Sequence, residues 1–376
     1  MSESSQRVER VRALMAEKQL DCLLITHPSN RVYLTGFTGD DIAPNESSGH
    51  LFITATDAVL VTGGVNVTQA EAQAPHVRVI KREGGWPQAD AAVLTDLGVH
   101  KIGYEAQAML VGVFHGISEQ LNEKKHDHEW VVADGLVEEL RIVKSESEIA
   151  LLRKAFQITN EAFDRVAPTI QAGQTEAEVA WKIHQAFVEL GAEGPSFPTI
   201  VAAGTNAARP HHEPGERVIQ EGEPIVIDMG ARYHGYCADL TRTVWVGEPD
   251  EKLREVYPIV AAAVEEVIER SQIGTTGADM DAAARQYIDA RGYGEAFNHG
   301  LGHGVGVRVH EGPSASKESK DVLAAGHVIT VEPGIYLPEW GGVRVEDVIL
   351  ITESGIEVLT SASKMRIENG DGSKRS

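Results

Sequence analysis

Cysteine is almost missing from this chain: of 376 residues, only Cys22 and Cys237 carry thiols. Two thiols so far apart do not suggest a disulfide framework. Both lie in apolar runs and read as buried thiols of a reducing compartment. Positive charge is also scarce, with 34 Lys and Arg against 56 Asp and Glu and a net charge of −22. That balance opposes nucleic acid and anionic membrane as partners. No run reaches the ~18 apolar residues that cross a bilayer. The opening Met-Ser-Glu-Ser-Ser-Gln-Arg has no apolar signal core, so a cytoplasmic protein is expected. Several catalytic signatures are absent as well. There is no His-Glu-x-x-His and no Gly-x-Ser-x-Gly elbow, and no Lys-Ser/Thr follows the glycines at 300–306 to make a phosphate loop.

What is present is a globular composition, 42% hydrophobic and 24% charged, with length enough for two domains. Val8, Val11, Leu14 and Met15 recur at helical spacing within 6–19, and Asp21–Thr26 reads as a buried strand. Leu51–Thr54 and Ala58–Val61 suggest a hairpin. Further strands are expected at Val77–Lys81, Lys101–Glu105 and Trp130–Val132, with helices near 88–97 and 108–122. This alternation implies a layered α/β domain over 1–135 that carries no catalytic chemistry. A linking stretch at 136–145 includes a helical Leu136–Lys144. Capping-box patterns at Ser145–Glu148 and Thr175–Glu178 then start helices of a second domain, 146–366. Residues 251–272 and 278–291 add two helices, and the polar tail 367–376 is expected to fray.

The second domain holds four acids in strand-like surroundings, where acids are uncommon. A tight hairpin centred on Tyr233-His234 would oppose Asp228 and Asp239 on one face. Glu332 and Glu346 are placed in the same way about Glu339. Between the pairs, Gly300-Leu-Gly-His-Gly-Val-Gly306 brackets His303 with residues that allow close backbone approach. Carboxylates packed this closely repel, so a proton or a cation must sit among them. Their four negative charges match two divalent ions.

The order Asp228, Asp239, His303, Glu332, Glu346 resembles the five-ligand dinuclear site of the metallopeptidases that include methionine aminopeptidase, aminopeptidase P and prolidase. The contexts Ile-Asp-Met-Gly, Ala-Asp-Leu-Thr-Arg-Thr, Gly-His-Gly-Val-Gly, Val-Glu-Pro-Gly-Ile-Tyr and Val-Arg-Val-Glu-Asp match too. The resemblance spans roughly the whole chain. It implies a creatinase-like α/β N-terminal domain, including Asn30–Phe37, followed by an α+β pita-bread catalytic domain. It also implies two divalent ions sharing a hydroxide that attacks Xaa-Pro bonds, and a homodimer. Oxygen-rich ligation suits Mn²⁺, with Co²⁺, Fe²⁺ or Zn²⁺ as alternatives. By the same resemblance Glu332 both binds metal and relays a proton, while His310 and His211 stabilise the oxyanion and position the bond. Arg344 orients a ligand carboxylate. His212 receives no role.

Prolidases of this family hold a dipeptide's carboxylate with an arginine four residues after the second histidine. Here that position is Ser314. The expectation therefore leans towards an aminopeptidase P-like enzyme acting on Xaa-Pro-Yaa and longer peptides, with an Xaa-Pro dipeptidase as the alternative. Arg308 and Arg209 are other cations within reach. Creatinase lacks the metal ligands, and silent binding modules of this fold usually lose some, whereas all five positions are filled here. Another small-amide hydrolase of the same fold is the remaining alternative.

Overall fold

The computed structural model describes residues 2–365 apart from 40, 42 and 44, so the tail expected at 367–376 lies outside the described residues. The chain divides into two compact units between Arg141 and Ile142. Among the described residues no helix is long and apolar enough to cross a membrane. Both cysteines are free and buried.

The first unit is built on one sheet of β1 (Cys22–Ile25), β2 (Gly49–Thr54), β3 (Ala58–Thr62), β4 (Arg78–Lys81), β5 (Lys101–Tyr104) and β6 (Glu129–Val132), in the order β4-β3-β2-β1-β5-β6. The central β1-β2-β3 run is antiparallel, while β4, β5 and β6 join in parallel. Parallel joins need crossovers. Helices α3 (Val67–Gln73), α4 (Trp86–Leu97) and α5 (Val111–Glu123) lie in the connections that lead into β4, β5 and β6, while α1 (Glu3–Glu17) precedes β1 and α2 (Pro28–Thr35) joins β1 to β2. Leu24, Phe52, Val59 and Ile102 of the sheet pack with Leu94 and Ile117 of α4 and α5. The sequence pattern did not indicate α2 and α3, which are too short to show a helical period. Pro28 starts α2, the His27 side chain caps it, and Gly36 at φ 79° ends it.

A polar knot lies inside this unit. Glu105 accepts hydrogen bonds from the Thr26 and His27 backbones at 2.7 and 2.6 Å and from Asn30 Nδ2 at 2.6 Å. Arg141 donates to Asn30 Oδ1 at 2.7 Å. Burial outweighs these donors and pushes the Glu105 carboxyl up to about 7.

The division between the units falls within a short helix, α6 (Glu138–Ile142). Among its described residues the second unit has four longer helices, α7 (Glu146–Val166), α8 (Glu176–Glu189), α9 (Glu251–Arg270) and α10 (Gly277–Asp289). Ser145 with Glu148, and Thr175 with Glu178, form complete reciprocal capping boxes at α7 and α8. The strands are β7 (Gly194–Pro195), β8 (Ile200–Ala203), β9 (Ile225–Met229), β10 (Ala231–Tyr233), β11 (Tyr236–Cys237), β12 (Leu240–Val244), β13 (Gly302–Gly304), β14 (Glu311–Ala315), β15 (Val328–Val331), β16 (Gly334–Leu337), β17 (Gly341–Arg344), β18 (Asp347–Thr352) and β19 (Gly355–Val358). They pair antiparallel as β11-β10-β7, β12-β9-β8, β14-β13-β15-β18-β19 and β16-β17. Ile227, Leu240, Ile329, Val343 and Ile349 of the strands share one core with Val256 and Val260 of α9.

The first acid hairpin turns one residue later than its sequence suggests. Tyr233 pairs with Tyr236, leaving His234 and Gly235 as the loop. Both have positive φ, 46° and 79°. Two successive positive φ values belong to a type I′ turn, whose twist closes a tight hairpin, and glycine takes the second at no steric cost. Asp228 therefore faces Thr241 rather than Asp239. Asp239 lies two residues back on the partner strand, in the break between β11 and β12. A slip of two residues keeps both acids on one face, whereas a slip of one would have separated them.

The second hairpin has the expected register. Gly334 pairs with Arg344 on one side of a break, and Val331 with Asp347 on the other. Glu332 and Glu346 occupy the break, opposite each other.

Candidate metal centre

Strand alternation and backbone crowding bring the acids together. Asp228, Asp239 and Glu346 each place an oxygen so that the three lie within 4.8 Å of one another. Asp228 Oδ1 and Glu346 Oε1 are buried with no hydrogen-bond partner. Burial, and then repulsion from neighbouring carboxylates, holds Asp239 and Glu346 well above the usual carboxylate range. An orphaned buried carboxylate oxygen is costly unless a cation meets it. Asp228, Asp239 and Glu346 together form a hard-oxygen donor set that suits a divalent ion.

His303 and Glu332 complete the group on the other side. His303 sits on β13, squeezed between β14 and β15: a Cβ on Gly302 would meet Thr330 O at 2.1 Å, and one on Gly304 would meet Gly312 O at 2.0 Å. Only glycine permits that approach, which explains the bracket around the histidine. His303 Nδ1–H donates to the Gly304 carbonyl at 3.1 Å. Its Nε2 therefore faces Glu332 Oε1 at 3.1 Å and Asp239 Oδ2 at 3.8 Å. A lone pair facing carboxylate oxygens needs a proton or a cation between them. Thr330 Oγ1 accepts from the His303 backbone and donates to Glu332 Oε1, at 3.0 Å each, aligning both side chains. With a proton in that gap, burial is outweighed by hydrogen bonding and charge from the His303 imidazolium, which hold Glu332 down at about 2. The residues present therefore fit divalent metal.

Arg344, expected to steady a ligand carboxylate, reaches Asp228 Oδ2 at 2.6 Å. Its Nε donates to Thr241 Oγ1 at 3.1 Å and its Nη1 to Tyr336 Oη at 3.1 Å. Tyr336 in turn donates to His299 Nε2 at 2.9 Å. Sequence reasoning missed His299, Tyr336, Thr241 and Thr330, because no local spacing links them. The signal lies only in the fold, which joins β9, β16, β17 and the segment before β13.

A cleft of about 840 Å³ adjoins this group, and Asp228, Asp239, His303 and Glu332 are among the residues that line it. His310 and His211 line it. The His310 ring lies 4.2 Å from that of His303, edge to face, and burial lowers its pKa. Phe197, Pro198, Ile200 and Val309 give it an apolar wall. His212, which had no role from the sequence, puts Nε2 2.8 Å from Glu176 Oε2. Ser314 donates to Asp321 and Ser319, and neighbouring Ala315 and Ser316 line the cleft instead.

Residues 150–353 match the model of metallopeptidase family M24, and 7–143 match the creatinase/prolidase N-terminal domain. An Xaa-Pro dipeptidase of Pyrococcus horikoshii is 36% identical over 96% of this chain and 98% of its own length. A solved Xaa-Pro dipeptidase from Bacillus anthracis is 37% identical with a TM-score of 0.89, covering 96% of this chain and 99% of that one. An X-Pro aminopeptidase from Thermotoga maritima is 35% identical with a TM-score of 0.86, covering 94% and 97%. The resemblance stated from the sequence thus holds for fold class and family alike: the chain belongs to metallopeptidase family M24, with a creatinase/prolidase N-terminal domain ahead of the catalytic one.

Proposed function

We propose that this metallopeptidase is an Xaa-Pro dipeptidase, with Asp228, Asp239, His303, Glu332 and Glu346 holding two divalent ions. The observation that carries the metal reading is the buried carboxylate cluster with two orphaned oxygens, Asp228 Oδ1 and Glu346 Oε1. Near full-length likeness to proteins named Xaa-Pro dipeptidases supports the substrate class. This reverses the lean towards longer peptides. That lean rested on the missing arginine at Ser314, a side chain bonded to Asp321 and Ser319.

When bound, the ions supply Lewis acidity and a water of lowered pKa. The chain's own residues do the rest. Ionised Glu332, aligned by Thr330, takes a proton from the attacking water and returns it to the departing proline nitrogen. His310, kept neutral by burial, donates to the carbonyl oxygen as charge develops there. His211, which also lines the cleft, positions the bond, and Arg344 keeps Asp228 in place. The apolar wall excludes water and accommodates the pyrrolidine ring. Mn²⁺ as the working ion, pairing of two copies and a cytoplasmic setting complete the reading. Light scattering at micromolar concentration tests the pairing.

Comparing kcat/KM for an Xaa-Pro dipeptide and the matching Xaa-Pro-Yaa tripeptide tests the main point. A dipeptide preference of about tenfold or more, or about 1.4 kcal/mol, is expected. Equal or better turnover of the tripeptide would return the enzyme to the aminopeptidase P-like reading.

A further inference from the structure

A dipeptidase must recognise the free carboxylate that distinguishes its substrate from a longer peptide. The cleft is hostile to such a group, because Asp228, Asp239 and Glu332 line it and Glu213 adds a further acid. Among the described residues, the arginines and lysines that line this cleft are Arg209 and Arg344. Arg344 is engaged with Asp228 and Tyr336. The Arg209 side chain, by contrast, is exposed and has no protein partner among the described residues.

The backbone around Arg209 is unusually well held for a loop. The Arg209 carbonyl accepts from the His212 backbone at 3.1 Å, closing a β-turn with Pro210 and His211 at its centre. Arg209 itself is extended, at φ −111° and ψ 101°, as a residue before proline must be. At the outer end, His212 bonds the fully buried Glu176, which also accepts from Ala203 N at 2.8 Å, Asn206 Nδ2 at 3.0 Å and Gly215 N at 3.2 Å. At the inner end, both Arg344 Nη atoms lie 3.4 Å from the Pro210 carbonyl. Arg344 Nη2 in turn holds Asp228. One guanidinium thus ties this turn to the carboxylate cluster, and the turn carries Arg209 and His211 together.

We propose that Arg209 is the specificity residue that grips the substrate's terminal carboxylate, taking the place of the cation missing at Ser314. The inference rests on the dipeptidase reading above. In an Xaa-Pro dipeptide the carboxylate lies within about one residue length, ~3.8 Å, of the bond that breaks. A fork of N–H donors on a pinned turn beside the bond-positioning His211 suits a carboxylate, which it can meet with two parallel hydrogen bonds. A longer peptide offers an uncharged amide at that point and gains nothing from the pairing. His212 and Glu176 act as positioning residues for the turn.

The test is the ratio of kcat/KM for an Xaa-Pro dipeptide to that for its C-terminal amide, which any partial loss of folded enzyme leaves unchanged. The wild type should favour the acid by about tenfold or more, as a charge-assisted pair allows. Arg209→Met should bring the ratio close to one, and Arg209→Lys should retain most of the preference. Calorimetry with proline and prolinamide as probes reads the same discrimination without turnover: the wild type should favour proline, and Arg209→Met should not. An unchanged ratio in Arg209→Met overturns the grip while leaving the dipeptidase reading intact. A wild type that cleaves neither acid nor amide removes that reading, and this inference with it.

Discussion

Arg344 Nη2 donates to Asp228 Oδ2 across 2.6 Å, joining β17 to β9 in the lining of the cleft. Both side chains are largely buried, so neither finds a comparable partner in water. Arg344→Met leaves Asp228 without its guanidinium. Metal affinity or turnover should fall by about 10–100-fold, and unfolding stability by on the order of 3 kcal/mol. Metal titration and equilibrium denaturation measure both. Wild-type values in each would make the contact incidental.

Asp239 and Glu346 belong to the same cluster and repel each other when no cation is present. Asp239→Asn and Glu346→Gln should each abolish turnover. The reconstituted wild type should approach about two ions per chain, as four carboxylates and one imidazole allow. Elemental analysis gives the count, and full activity after exhaustive chelation would contradict the centre.

His310 and His211 line the cleft without belonging to the three-acid cluster. Replacing either with alanine should lower kcat by about 10²–10³, as expected on losing one donor to a developing oxyanion. Metal content should stay near that of the wild type. A variant that loses metal yet keeps its kcat per occupied site would be a ligand instead.

Glu105 makes the first unit sensitive to pH. Its carboxyl, raised by burial from 4.5 to about 7, favours the protonated form in the folded state. Its contribution is complete below about pH 4.5 and is lost as pH climbs through about 7, a difference of about 3 kcal/mol. Hydrogen exchange in β1 and β5 should speed up across that window, and Glu105→Gln should flatten the dependence. A flat wild-type profile would show that the three N–H donors keep the group ionised.

Much of the chain could be read locally. Ser145 with Glu148 and Thr175 with Glu178 mark their helix starts because a capping box lies within four residues and needs no distant partner. The short α2 and α3 were missed because a run of eight residues or fewer shows too little of a helical period. The turn at His234-Gly235 was placed one residue early. The composition of the hairpin indicated a turn but not which two residues take positive φ.

The same contrast explains the site. Period-two alternation keeps Asp228 and Asp239 on one face in the expected register and in any register an even number of residues away, so that part of the sequence reading survived the slip of two. Likewise, glycines on both sides of His303 announced a crowded strand. Which strands do the crowding, how Arg344 came to bridge Asp228 and Pro210, and how His212 found Glu176 36 residues earlier were decided only by tertiary structure. Those contacts join elements far apart in the chain. Their geometry depends on turn conformation and packing, neither of which leaves a periodic trace in the order of residues.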